Sequence, residues 1–164
     1  MMSRDPISTI RQDLGRVSAI KDLAERVVSQ TGDERALESE IWMLVEGKPH
    51  DDFCEIDEGV WFRREPGDMA YDPPPHLLTS LDEATAFMDR VCPGWNRWIR
   101  HGSGPDFRAD AMISSPDRAV TGHAVGNSEP RALVTAVLRA IASNLRPMVT
   151  ITSPHPRRAE PRHV

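Results

Sequence analysis

Between positions 106 and 125, small residues recur at alternate places: Ala109, Ala111, Gly122 and Ala124. Successive side chains of a strand point to opposite faces, so these four share one face if the runs about 106–114 and 119–125 are strands. The joining "SPDR" supplies the Pro, Ser and Asp of a hairpin turn. A face of mostly small side chains suits the close packing of two alanine-containing amphipathic helices, with Trp98 and Phe107 filling its periphery. The helix expected over about 128–145 fits, with Leu133, Val137, Ile141 and Leu145 on one side and Arg131, Arg139 and Arg146 elsewhere. A third run, about 95–101, joined through "GSGP", completes an antiparallel meander.

Turns at 103–104 and 116–117 would set the register. One face then carries Trp98, Phe107, Ala109, Ala111, Ile113, Val120, Gly122 and Ala124. The other carries Trp95, Arg97, Ile99, His101, Arg108, Asp110, Met112, Thr121 and His123, with Arg97, Asp110 and His123 in one row. A slip of one residue along either hairpin would move a whole strand to the opposite face.

Upstream, Ile10, Leu14, Val17, Ala24 and Val28 form the stripe of an amphipathic helix over 6–30, interrupted by Gly15. After "TGD", with Asp33 as cap, Leu37, Ile41, Leu44 and Val45 mark a second helix that Gly47 and Pro49 stop. The acidic stretch "HDDFCE" leads to one strand near 59–64. Three prolines then stiffen the approach to "TSLDEATAFMDRVCPGW", a helix opened by the capping-box pair Ser80 and Glu83 and closed by Pro93-Gly94. The expected organisation is α+β: an antiparallel meander packed with helices in an α-β-α sandwich, preceded by an N-terminal helical hairpin. Residues 1–32 read as a helical extension, 33–152 as the sandwich domain and 153–164 as a flexible basic tail.

Cys54 and Cys92 have no metal-ligand or disulfide spacing, which suits a reducing cytosol. No run reaches the ~18 apolar residues of a membrane span, so a cytoplasmic protein is expected. The charge is uneven: residues 31–93 carry −11 and residues 94–164 carry +5. That split argues against a general nucleic-acid binder, which needs a broad basic surface, and leaves room for a local basic patch.

The segments "PPPHLLTSLDEATAFMDRVCPGWNRWIR" and "TGHAVGNSEPRALVTAVLRAI", with "LESEIWMLVEG" upstream, resemble the phage ABA-sandwich domain family of small phage and prophage proteins. The resemblance spans roughly 36–145 and is clearest over 75–145. It implies an α-β-α layered domain of phage or prophage origin in a bacterial host cell. It brings no catalytic residues. The N-terminal helix and arginine-rich tail depart from the pattern, as does "GWNRW", whose tryptophans are three apart where alternation favours two.

The motifs themselves read plainly. "HDDFCE" lacks the second half of a zinc or calcium site, "HGSGPD" lacks the context of a phosphate loop, and nothing calls for a metal or cofactor. Arg97, Asp110 and His123 have the residue types of an acid/base assembly, but an ion-pair row on the outer sheet face is the better reading, with Thr121 the nearest hydroxyl. The functional expectation is a non-enzymatic accessory protein that binds another protein, a host factor or host defence component. The alternative is a binder of a small anionic metabolite or nucleotide, using Trp95, Arg97, His101, Arg108, Asp110 and His123. A homodimer through the first helix would use the same apolar stripe as a core.

Overall fold

The computed structural model describes residues 6–29, 32–46, 53–57, 60–64, 71–102 and 108–145. Helices α1 (Pro6–Ser29) and α2 (Glu34–Glu46) form the expected N-terminal pair. Gly32, at φ 103°, makes the turn, and Asp33 caps α2 by accepting from the Ala36 N–H at 3.0 Å. Helix α1 runs unbroken through Gly15, around which a Cβ would meet nothing within 4 Å. Gly15→Ala is therefore expected to stabilise the fold by roughly 0.5–1 kcal/mol, the ordinary helix preference of alanine over glycine, read as a higher urea midpoint.

The acidic stretch contains more structure than expected. Phe53–Asp57 is a strand, β1, paired with β2 (Val60–Arg64), which in turn pairs with the short β3 (Tyr71–Asp72). Charged strand residues in a small separate sheet lack the apolar alternation that marks a strand in sequence. Helix α2 packs against β2.

Helix α3 (Leu81–Val91) begins as expected, with the Ser80 hydroxyl accepting from the Glu83 N–H at 3.3 Å. The reciprocal half of the capping box is redirected: the Glu83 carboxylate accepts from the His76 N–H at 2.5 Å. Three prolines leave the approach extended and short of donors, and Arg35 of α2 holds it by donating to the Pro74 carbonyl at 2.6 Å.

Strands β4 (Asn96–His101), β5 (Ala109–Ser114) and β6 (Thr121–Gly126) form the antiparallel meander in the order β4-β5-β6, followed by α4 (Glu129–Asn144). Its inner face is the one expected of β5 and β6: Ala109, Ala111, Ile113, Gly122 and Ala124 are all buried. Helix α4 lies directly on it. A Cβ on Gly122 would collide with the Ala136 carbonyl oxygen and come within 2.9 Å of the Ala140 Cβ, and one on Gly126 would sit 3.0 Å from the Ala132 nitrogen. Ala132, Ala136 and Ala140 are four apart on one helix face, so strand and helix approach backbone to backbone.

Helix α1 packs on α4 and α3 packs beside it, leaving α4 buried nearly all round. A helix apolar around its circumference belongs inside. Each fully buried leucine or valine there contributes roughly 1.5–3 kcal/mol. The α+β class and the helix-packed meander follow the sequence reading; among the described residues the helices gather on one face of the β4-β5-β6 sheet. Val28 of the expected α1 stripe is only half-buried, while Val17 and Ala24, with Ile20, Leu23 and Val27, belong to the same core as the sheet and α4. Those positions face inward and offer nothing to a second copy. The tail at 153–164 lies outside the described residues.

Among the described residues two charged ones, Glu38 and Arg131, are buried. Arg131, only 6% exposed, donates to the Val27 carbonyl at 3.3 Å and pairs with Glu34, so one guanidinium joins the end of α1 to the start of α2.

Candidate binding face

The geometry of the outer sheet face follows from how the two hairpins close. In the second, the Ser115 N–H donates to the Val120 oxygen at 2.9 Å, and the Ser115 and Asp117 side chains tie the loop, with Arg118 at φ 59°. Pairing is Asp110↔Val125 and Met112↔His123, two residues from the expected register. An even shift preserves the faces. In the first hairpin, the Gly102 N–H donates to the Arg108 oxygen at 2.9 Å, and pairing is Trp98↔Met112 and Arg100↔Asp110. That is three residues from expectation, and an odd shift inverts β4.

The outer face is therefore a three-by-three grid. Asn96, Ser114 and Thr121 form one row, Trp98, Met112 and His123 the next, and Arg100, Asp110 and Val125 the third. Trp98 is 48% exposed, Met112 44% and Val125 38%, the exposed large apolar side chains among the described residues.

The six candidate residues separate. Asp110 and His123 stay together on the outer face as diagonal neighbours, His123 Nε2 lying 2.6 Å from Asp110 Oδ1. Arg108 is exposed just before β5 and lines, with Arg100, His101, Gly102 and Asp110, a shallow depression of about 200 Å³. Arg97 and His101 turn to the helical side: Arg97 pairs with Asp89 of α3 at 3.3 Å, and His101 with Glu129 at the start of α4 at 2.5 Å. Trp95 is half-buried and lines a separate cavity of about 500 Å³ with Val45, Cys92, Ile141 and Leu145, where α2, α3 and α4 end. The expected row of Arg97, Asp110 and His123 is thus corrected to Arg100, Asp110 and Val125, with His123 diagonal. Trp98, expected inward, points out.

Sequence reasoning missed Trp98, Arg100 and Val125 as members of this face. Val125 follows Thr121 and His123 at alternate places on β6, which marks its face; β4 carries no such mark, with one apolar residue on each side.

Side chains of Asp110 and His123 are 35% and 57% exposed, and an exposed pair of this kind is worth at most about 1 kcal/mol. The hydroxyls of the face, Ser114 and Thr121, stand one row from His123. Elsewhere, burial pushes the free Cys92 thiol above its ordinary value, which favours the unreactive thiol form. Among the described residues no three His, Cys, Asp or Glu side chains gather as metal ligands, and no helix is long and apolar enough to cross a membrane.

No family model, curated protein or solved structure matches this chain.

Proposed function

We propose that the protein is a non-enzymatic, protein-binding accessory module that uses the open face of the β4-β5-β6 sheet, with Trp98 and Met112 as anchors. The observation that carries this reading is the exposure of Trp98, Met112 and Val125 on one sheet face, beside Arg100, Asp110 and His123. Tryptophan, methionine and arginine are enriched at interface centres, and charged and polar groups suit a rim. The phage or prophage setting, with a host factor or host defence component as partner in the bacterial cytoplasm, is supported by the resemblance over residues 75–145; the free, buried Cys92 agrees with a reducing compartment.

Met112→Glu tests it. Met112 is exposed on the central strand, so its replacement is expected to change stability by no more than about 0.5 kcal/mol while weakening a partner contact at least tenfold. A host protein retained by the wild type and lost from Met112→Glu is the expected result of parallel affinity captures. Identical captures from both proteins, or none from either, overturn the reading.

The second reading, a small anionic ligand, is favoured by one feature: Arg100 and Arg108 share the 200 Å³ depression. A nucleotide bound there at a hundred times its Kd would add about 2.7 kcal/mol of stability. On the protein-binding reading, a thermal-shift series with nucleotides and acidic metabolites shows no such rise.

A further inference from the structure

The two edges of the meander differ in a way that the open face does not explain. In an antiparallel ladder, residues alternate between those that bond the neighbouring strand and those whose N–H and C=O point the other way. The bond from Gly102 to Arg108 fixes the phase: the even residues of β4 bond β5, so Arg97 and Ile99 direct their backbone groups to the free edge. By the same rule the odd residues of β6 point outward on the far side, and there the His123 carbonyl is occupied. Arg139 donates to it at 2.9 Å and is itself held by Glu25 at 2.9 Å. The β6 edge is blocked by a fixed arginine. The backbone of Arg97 and Ile99 has no such cover among the described residues.

We infer that the β4 edge is the interface between two copies of this chain, joined antiparallel about a two-fold axis at Trp98 into a six-stranded sheet. The parity of the free backbone groups permits only registers that pair odd residues with odd ones. Among these, centring on Arg97 opposes two Arg97 side chains, centring on Ile99 sets Arg97 against the partner's His101, and centring on Arg100 opposes two Arg100 side chains. Centring on Trp98 sets no cationic side chain against another within β4. It pairs Arg97 with the partner's Ile99 and places Arg100 across from the partner's Asn96, whose amide oxygen can accept from the guanidinium. Trp98 then meets the partner's Trp98 at a non-hydrogen-bonded position, where cross-strand side chains are closest and aromatic pairs are favoured. The half-exposed Trp98 at the middle of an unpaired edge strand is accounted for, which a lone edge of this kind otherwise leaves as a hazard. This inference rests on edge geometry; it shares Trp98 with the open face proposed for a partner, which would continue across both copies, and its sedimentation test does not involve that partner.

Sedimentation from micromolar to hundreds of micromolar protein tests it, with a limiting mass of twice 18.3 kDa expected. Ile99→Pro removes an outward donor and no bond of the β5 ladder, and is expected to weaken the dimer roughly thirtyfold or more by the loss of two symmetric bonds. Val125→Pro, the equivalent change at the blocked β6 edge, should leave the dimer intact; circular dichroism checks that both variants fold. In a Cys54→Ser background, Trp98→Cys should accumulate a disulfide-linked dimer faster than Arg100→Cys, because directly opposed Cα atoms at such a position lie roughly 4.5 Å apart, within disulfide reach. A monomer at every concentration overturns the proposal, as does a dimer indifferent to Ile99→Pro. Preferential linkage at position 100 overturns the Trp98-centred register.

Discussion

Gly122→Ala is expected to destabilise the protein by about 3 kcal/mol, the upper end for overpacking a core. The added methyl would collide with the Ala136 carbonyl oxygen and sit 2.9 Å from both the Ala136 carbonyl carbon and the Ala140 Cβ. Two of those three atoms are helix backbone, which no rotamer change can move aside. Relief requires β6 to lift from α4, and that separation would thin the contacts of Ala124 and Ala111, both fully buried, along the same face. A loss of this size is a large fraction of the 5–15 kcal/mol that holds an ordinary domain. Urea unfolding followed by tryptophan fluorescence checks it. A Gly122→Ala protein within about 0.5 kcal/mol of wild type would show that β6 does not rest on α4, and with it the assignment of inner and outer faces would fail.

The same close approach explains why so much of the meander was legible in sequence. Ala109, Ala111, Gly122 and Ala124 are informative because small residues at alternate places have few other uses, and the structure buries all four. The Ser80 cap and the Asp33 cap were equally readable, since each rests on contacts within a few residues. Strand β4 was not. Its two faces are Arg97, Ile99 and His101 on one side and Asn96, Trp98 and Arg100 on the other, one apolar residue in each. Alternation therefore does not decide between them, and the loop closure at Gly102 and Arg108 does. Arg97 and His101 change face for this reason, whereas Asp110 and His123, on β5 and β6, keep theirs; Trp95 lies before β4 and lines the separate cavity.

Longer-range polar contacts were illegible for a different reason. Arg131 sits among alanines and leucines on α4 and looked like a solvent-facing residue, yet its partners, Val27 and Glu34, are about a hundred positions away in sequence. Nothing local marks it. Glu38 is the same kind of case: on its own helix it looks like ordinary surface charge, and only the returning chain at Leu78 buries it.

That burial yields the second large effect. Glu38 is fully buried; one carboxylate oxygen accepts from the Leu78 N–H at 2.9 Å, and the other pairs with Arg35. Removing the side chain in Glu38→Ala leaves the Leu78 donor buried and unpaired and frees Arg35 from one of its partners. A loss of about 2–3 kcal/mol is expected. The titration of the group runs opposite to that of a salt-bridged surface carboxylate. Burial raises its pKa above the ordinary 4.5, outweighing the Leu78 hydrogen bond and the Arg35 charge, which lower it. Between 4.5 and the higher native value, the folded state holds more protons than the unfolded chain, so stability falls as pH rises through that interval and levels above it. Glu38→Gln removes the titration while keeping an oxygen for Leu78. The stability of wild type minus that of Glu38→Gln, from urea unfolding at a series of pH values upward from 4, should therefore decline with pH. A difference that grows with pH would mean that Arg35 outweighs burial, and the clamp between α2 and the approach to α3 would then be an ion pair in the ordinary sense.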